Sequence, residues 1–390
     1  MGREEEKQFG REMWILVVGG RLQGTEIVYL AKKAGHKVFL IDRQEDVPAA
    51  GLADYFLVAD IYDREKVYSV FQCVDYVIPA IENIAVLKRI EKYCKETGAI
   101  CLFDIAAYSI SSSKTKTNRL LKTLGIRIPE PFPACGYPVI CKPDSESGSR
   151  GVRKINSEEE KKALGMEQNG ECVVQQYLEG PVYSLEVLGD GRDAVFPMVT
   201  EVVIDREYDC KRILAPAAAD ETVYEEFTEI AARINGAIKI RGIFDIEAVL
   251  HEGHLYVLEI DARFPSQTPI SIYHASGINF VEVLLAYEGV QEIPEPDRKC
   301  ACILHQIEVT GNRLLVCGEH TMTDAGRLHV IEGLCGADEM ITNYSEGAYA
   351  WKAMVILTGK DIEEAAEKWN QCIQKIADLQ KCGTMQYIEG

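Results

Sequence analysis

The chain has 390 residues, 47% hydrophobic and 26% charged, with a formal net charge of −19. This predicts a globular protein of two or three domains with a sizeable core. The acidic balance argues against a nucleic-acid backbone or an anionic membrane as main partner, although a local group of Lys, Arg and metal can still hold a nucleotide. Thirteen cysteines are scattered without a CxxC pair, which suits a reducing cytosol better than a disulfide framework or a structural metal. Residues 1–12 are charged and carry no apolar signal core, and Glu6 spoils the myristoylation pattern begun by Met1-Gly2. No apolar run is long enough to span a bilayer, so a cytoplasmic protein is predicted.

In chain order, residues 14–20 read as a β-branched strand, 25–34 as a helix and 37–41 as a second strand ending at Asp42. The turn Gly19-Gly20-Arg21-Leu22-Gln23-Gly24 departs from Gly-x-Gly-x-x-Gly, with a bulky Arg where the motif needs room. A Rossmann-like domain turned to a ligand other than NAD is therefore expected. A strand at 55–58, a helix at 63–73, a strand at 76–79 and a helix at 84–96 continue the pattern. Residues just past strand ends face the crevice of an open parallel sheet, which would bring Leu22, Gln23 and Glu82 together. For any one of them alone, a loop or capping role is the simpler reading.

A polar start at 111–116 opens a helix that Gly125 ends, and four prolines between 129 and 138 mark a linker. A strand at 139–143 containing Lys142 then runs into the loop Asp144-Ser145-Glu146-Ser147-Gly148-Ser149-Arg150-Gly151. Backbone N–H groups of such a loop can wrap phosphates, although the Gly-Lys-Ser/Thr ending of a Walker loop is missing. Strands at 152–155, 172–177, 197–205 and 213–216, and a helix at 220–237, lead to the most unusual stretch of the chain.

Residues 242–250 and 255–263 are apolar, partly alternating runs around the polar turn His251-Glu252-Gly253-His254, the signature of a β-hairpin. With Gly253 at the centre, His251 would oppose Leu255 and Glu247 would oppose Glu259. Asp245, Glu247, Glu259, Asp261 and Arg263 would share one face, and Ile246, Ala248, Leu250, Leu258, Ile260 and Ala262 the other. Like charges facing each other are destabilising, so four carboxylates on one face ask for a cation. A solvated outer face is the bland alternative. Carboxylate oxygens without His or Cys suit Mg²⁺ rather than zinc. Beyond the hairpin, a helix at 279–287, strands at 302–309, 314–316 and 353–357, and a helix at 361–378 complete an α/β chain of three lobes.

Taken together, these pieces resemble the ATP-grasp superfamily over roughly residues 14–290. The ordered features are a Rossmann-like start, Lys114 before a lid, Lys142-Pro143 with the Gly/Ser loop, the hinge 173–180, Ser184-Leu185-Glu186, and Glu247 and Glu259 twelve residues apart. The implied architecture is an extension at 1–12, a Rossmann-like domain at 13–108, a linker helix and lid at 109–185, and a larger C-terminal α+β domain at 186–390. The resemblance implies that Lys114 and Lys142 contact ATP phosphates beneath the loop Ser147-Gly148-Ser149. It implies that Gln175, Gln176 and Leu178 frame adenine, that Glu186 faces ribose or substrate, and that Glu247 and Glu259 hold two Mg²⁺. Asp261 stands where the superfamily prefers Asn, and could serve metal or a substrate ammonium.

Within the superfamily the likeness is to the ligases of pyrrolysine biosynthesis, through Glu82-Asn83, residues 180–187, 207–210, 259–269, 276–279 and 336–339. That resemblance implies an ATP-dependent carboxylate–amine ligase that activates 3-methyl-D-ornithine as an acyl phosphate for attack by the ε-amine of L-lysine. Its partners would be small amino acids, and self-association is compatible with the sequence. Arg263, aided by Ser266, is expected to orient the carboxylate, because guanidinium pairs bidentately with it. The alternative for Arg263 is a salt bridge to Glu259 or Asp261. Glu82, Asp261 and Asp209 are the candidates for substrate ammonium groups. Rival readings are a ligase of another amino-acid pair, a biotin-carboxylase-like carboxylase, a dehydrogenase and an amino-acid sensor.

Overall fold

Alternating β-branched runs and amphipathic helices build the first sheet, from β1 (Trp14–Val18), α1 (Leu22–Lys33), β2 (Lys37–Asp42), β3 (Tyr55–Val58), α2 (Arg64–Phe71), β4 (Tyr76–Pro79), α3 (Ile84–Thr97) and β5 (Ile100–Cys101). The computed structural model describes residues 12–163 and 172–390, so the predicted extension lies outside them except for Glu12. The five strands are parallel in the order β3-β2-β1-β4-β5. The order reverses between β1 and β4, which opens a crevice at the strands' carboxyl ends.

Two helices follow, α4 (Ile105–Ser111) and α5 (Lys114–Thr123), the second capped by the Ser113 side chain, which accepts from the Lys116 N–H. The lid is an antiparallel sheet of β6 (Val139–Pro143), β7 (Arg153–Ile155) and β8 (Cys172–Gln176), in the order β7-β6-β8, with α6 (Glu158–Ala163) between β7 and β8. Its own core is small, built on Cys135, Val139, Cys141 and Ile155.

The third part begins with β9 (Val182–Asp190), β10 (Ala194–Val195), β11 (Val199–Ile204), β12 (Cys210–Ala215) and α7 (Glu221–Ile238). The predicted hairpin is β13 (Arg241–His251) and β14 (His254–Asp261), followed by α8 (Thr268–Ser276) and α9 (Phe280–Tyr287). The chain ends with β15 (Ala301–Thr310), β16 (Arg313–Val316), α10 (His320–Thr323), β17 (His329–Glu332), β18 (Glu339–Thr342), β19 (Ala350–Gly359), α11 (Ile362–Leu379) and β20 (Gln386–Glu389). These strands form one sheet, β14-β13-β9-β11-β12-β15-β19-β18-β17, with β10 beside β9 and β16 joining β15 to β20. Among the described residues no helix is long and apolar enough to cross a membrane.

The first and third parts are joined through α1. Asn279 Nδ2 donates to the Leu30 carbonyl (2.8 Å), and the Tyr29 hydroxyl lies 2.7 Å from both Glu339 Oε2 and His274 Nε2. Glu26 accepts from the Ile270 N–H (2.9 Å) in the first turn of α8. Burial raises the Glu26 pKa well above the usual carboxylate range and lowers that of His274 to about 4. The N-terminal crevice is thus held at a set distance from the hairpin.

Candidate active site

The acidic hairpin sits at one end of the large sheet, and its turn is tighter than the sequence predicts. Glu252 (φ 49°) and Gly253 (φ 79°) form a two-residue turn, so His251 faces His254 rather than Leu255. A β-bulge at Leu258 restores the count, and Glu247 pairs with Glu259 and Asp245 with Asp261, as expected. The extra residue breaks the alternation. Leu258 therefore does not join Ile246, Ala248, Ile260 and Ala262 in the core but lines the cleft, where its carbonyl accepts from Lys142 Nζ (2.9 Å).

Strand β9 lies against β13 and completes two cross-strand rows: Ser184, Glu247 and Glu259 in one, Glu186, Asp245 and Asp261 in the other. Glu247 and Glu259 of the first row open on a cavity of about 210 Å³ between lid and hairpin. Lys114, Lys142, Ser149, Arg150, Gln175, Gln176, Leu178 and Glu179 also face it. Lys114 Nζ is 2.7 Å from Glu259 Oε1. Burial pulls the Lys142 ammonium below its ordinary pKa, partly offset by Glu259, while burial and Glu259 push Glu247 up. An anion bearing a divalent cation would satisfy lysines and acids together, so the donor set fits Mg²⁺ with a nucleotide phosphate. The hinge passes close to the hairpin at Gly180, where a Cβ would lie 1.9 Å from the Leu250 carbonyl oxygen.

Glu186 departs from its expected role. It is fully buried, accepts from Ser184 (2.9 Å) and Thr268, and lines neither of the two cavities here, whereas Glu179 lies on the wall of the first. Its carboxyl is pushed up to about 7 by burial, against the pull of the two hydroxyls.

A second cavity of about 70 Å³ shares Ser149, Ile204, Tyr208, Glu247 and Glu259 with the first. Its remaining wall includes Asp209, Asp245, Asp261, Arg263, Ser266, Thr268 and Glu319. Arg263 reaches Asp261 with Nη2 (2.9 Å), Glu82 with Nε (2.7 Å) and Asp245 with Nη1 (4.0 Å). The salt-bridge alternative thus holds for Asp261, with Glu82 in place of Glu259. Burial raises Asp261 to about 7 despite Arg263. For Glu82 the burial penalty is outweighed by Arg263, Ser147 and Gln23, so its carboxyl stays below the usual range.

Gln23 Nε2 donates to Glu82 (2.6 Å), as their predicted proximity requires, but Leu22, the first residue of α1, packs half-buried against the hydrophobic core rather than joining them. Asp209 grips His320 (2.8 Å to Nδ1), which raises the imidazole pKa. Ligand atoms of Asp209, Glu319 and His320 lie within 4.8 Å of one another, but the Nδ1 contact already occupies the ring nitrogen nearest the acids. Asp245, Glu319, His320 and Glu179 escaped the sequence reading as site residues. Asp245 carried a signal in its place on the acidic face and Glu179 in the hinge 173–180; Glu319, which follows Gly318 after a strand, carried none.

The Gly/Ser loop closes over both cavities. Ser147 donates to Glu82, Ser149 to the Tyr208 carbonyl (2.6 Å), and Gly148 rests on the His320 ring. At Gly148 φ is 58°, and a Cβ would lie 2.8 Å from His320 Cε1 and Nε2. Gly148→Ala is expected to lower kcat/KM about tenfold, since a left-handed Ala costs roughly 1–2 kcal/mol before the clash is counted. ADP release should then exceed amide formation, because a lid that closes badly admits water. Tight one-to-one coupling in that variant would show that the loop does not seal the site.

The Rossmann-like crevice holds a separate cavity of about 490 Å³, lined by Gly19, Gly20, Asp42 and Asn83 among others. Asp42 there accepts from the backbone N–H groups of Gly20 and Gln44, both at 2.8 Å.

A lid sheet closed over paired lysines and a carboxylate hairpin defines the ATP-grasp class. The family model described as an ATP-grasp domain matches residues 111–267, and that of a PylC-like N-terminal domain matches residues 15–102. The 3-methyl-D-ornithine–L-lysine ligase of Methanosarcina acetivorans is 35% identical, over 91% of this chain and 95% of that protein. Its counterpart in Methanosarcina mazei is 33% identical, over 93% and 96%. The chain belongs to this ligase family. Solved structures show the same fold: an N5-carboxyaminoimidazole ribonucleotide synthetase with ADP (TM-score 0.71, 16% identity, 95% of this chain and 98% of that one) and the biotin carboxylase of Campylobacter jejuni (0.73, 16%, 94% and 92%). At such identities the likeness extends to the fold alone.

Proposed function

We infer that this chain is an ATP-dependent ligase that joins the carboxylate of 3-methyl-D-ornithine to the ε-amine of L-lysine. The observation that carries the site assignment is the shared mouth of the two cavities: Glu247 and Glu259 line both, so phosphate-binding and amino-acid-binding chemistry meet there. Adenine would lie along Gln175, Gln176 and Leu178, with the phosphates running toward Lys114 and Lys142. Glu247 and Glu259 would hold two Mg²⁺, which supply charge neutralisation at the transferring phosphoryl group. Arg263, itself held by Asp261 and Glu82, presents its guanidinium to the reacting carboxylate.

A carboxylate is a poor electrophile, so an amide cannot form from it directly in water. Attack of one carboxylate oxygen on the γ-phosphorus breaks the P–O bond to ADP and leaves an acyl phosphate. The amine then attacks the acyl carbon, and phosphate departs with the substrate's oxygen. Such transfer relies mainly on positioning and charge stabilisation, which buried lysines and a closed loop supply. With ¹⁸O in the 3-methyl-D-ornithine carboxylate, one labelled oxygen is expected in inorganic phosphate by mass spectrometry. Label appearing in AMP instead would exclude the acyl-phosphate route. A cytoplasmic setting accords with thirteen free thiols.

A further inference from the structure

The small acidic cavity contains a group that the reaction itself does not require. Glu319 is only 3% exposed and faces the cavity, and its Oε2 has no hydrogen-bond partner. Its other oxygen accepts from Ser266 (3.3 Å), and its N–H donates to the Cys210 carbonyl (2.8 Å), which holds the residue in place. A buried carboxylate oxygen without a donor is costly, and its natural complement is a charged donor. Neighbouring Asp209 is already paired with His320, and among the described residues Glu319, whose carboxyl burial pushes up to about 7, has no ion-pair partner.

The shape of the substrate decides which donor. On the site reading above, the reacting carboxylate would lie at the mouth lined by Glu247 and Glu259, and the α-ammonium, one bond from the carbon bearing it, would stay on the hairpin side. Glu319 enters from the segment between β16 and α10, against Ser266 and Asp209, not from the hairpin. A group reaching it must sit at the far end of the side chain.

We propose that Glu319 receives the distal ammonium of the activated amino acid, and so selects a diamino acid over one with a neutral side chain. This rests on the site reading above. A site built to pair a polar group rejects analogues lacking it more strongly than an apolar pocket rejects a missing methylene. The matching analogue is 2-amino-3-methylpentanoate of the same configuration, which keeps the carbon skeleton and lacks only the distal amine.

The test measures kcat and KM for both amino acids with ATP, Mg²⁺ and L-lysine. The parent is expected to favour the diamino acid at least 100-fold in kcat/KM. In Glu319→Gln that preference should fall at least tenfold, mainly through a higher KM for the diamino acid. Glu319→Asp, which keeps the charge but shortens its reach, should fall between them and serves if the Gln variant folds poorly. Equal losses for both amino acids, or an unchanged preference, would overturn the role of Glu319 while leaving the ligase reading intact. Failure of the parent to form the amide from 3-methyl-D-ornithine would instead overturn that reading.

Discussion

Glu247→Gln is expected to lower kcat about 100- to 1000-fold without destabilising the protein, the size of effect seen when one charge-stabilising group is removed from a transition state. Glu247 faces Glu259 across the hairpin and lines both cavities, where on the proposed reading a metal-bound phosphoryl group would pass to the carboxylate. Directly opposed like charges weaken a sheet, so replacing one by an isosteric amide relieves repulsion. Denaturant unfolding should therefore give equal stability, or a gain of a few tenths to about 1 kcal/mol. The checks are ADP release in the presence of both amino acids and an unfolding curve on the same preparation. Glu259→Gln should also abolish ADP formation, but without the stability gain, because Glu259 also pairs with Lys114 (2.7 Å). Near-normal turnover in either variant would remove that residue from the metal site.

Arg263→Ala is expected to cost roughly 3–5 kcal/mol of stability as well as turnover, because it strands buried partners. Asp261, Glu82 and Asp245 all turn toward this guanidinium, and Asp245 is 7% exposed. Asp245 has little else: burial raises its carboxyl well above the ordinary range, and Arg263 is the foremost influence holding it down. Arg263→Lys should recover only part of the stability, since an ammonium cannot present three separate edges to three acids. An unfolding free energy for Arg263→Ala within about 1 kcal/mol of the parent's would mean that the acids are neutral or hydrated without it.

Glu82 couples these two effects to the rest of the molecule. It lies past β4 of the first sheet, yet its carboxylate meets Arg263 of the hairpin and Ser147 of the lid. One side chain thus touches all three parts of the chain.

Periodicity was informative wherever an element has one wet face. β3 and β4 match their predicted ranges as short apolar runs, β4 being buried at every residue, but periodicity itself is seen in α11, which matches the expected helix at 361–378 to within a residue. It failed at β9, which is buried along seven consecutive residues and so has no polar face to alternate with its apolar one. Ser184 and Glu186 interrupt the apolar run there, and their position next to the hairpin acids follows only from strand order. Helix α8 was hidden for a related reason, being buried along almost all its length.

The hairpin contrasts the two sources of information. Local sequence determined that two strands meet at a polar turn containing Gly253 and that acids crowd one face, and it paired Glu247 with Glu259; the tighter two-residue turn and the compensating bulge at Leu258 came from the structure. It also placed two lysines and a Gly/Ser loop upstream in the order of the ATP-grasp superfamily. Tertiary structure decided what those acids face. The bulge at Leu258 turned a carbonyl to Lys142, the packing of β9 buried Glu186 away from both cavities, and Arg263 took Asp261 as an ion-pair partner. Glu319, sixty residues beyond Glu259 in the chain, joined the second cavity only because the sheet brings β12 beside β15. Such long-range placement depends on how separate elements pack, and no local pattern of side chains encodes it.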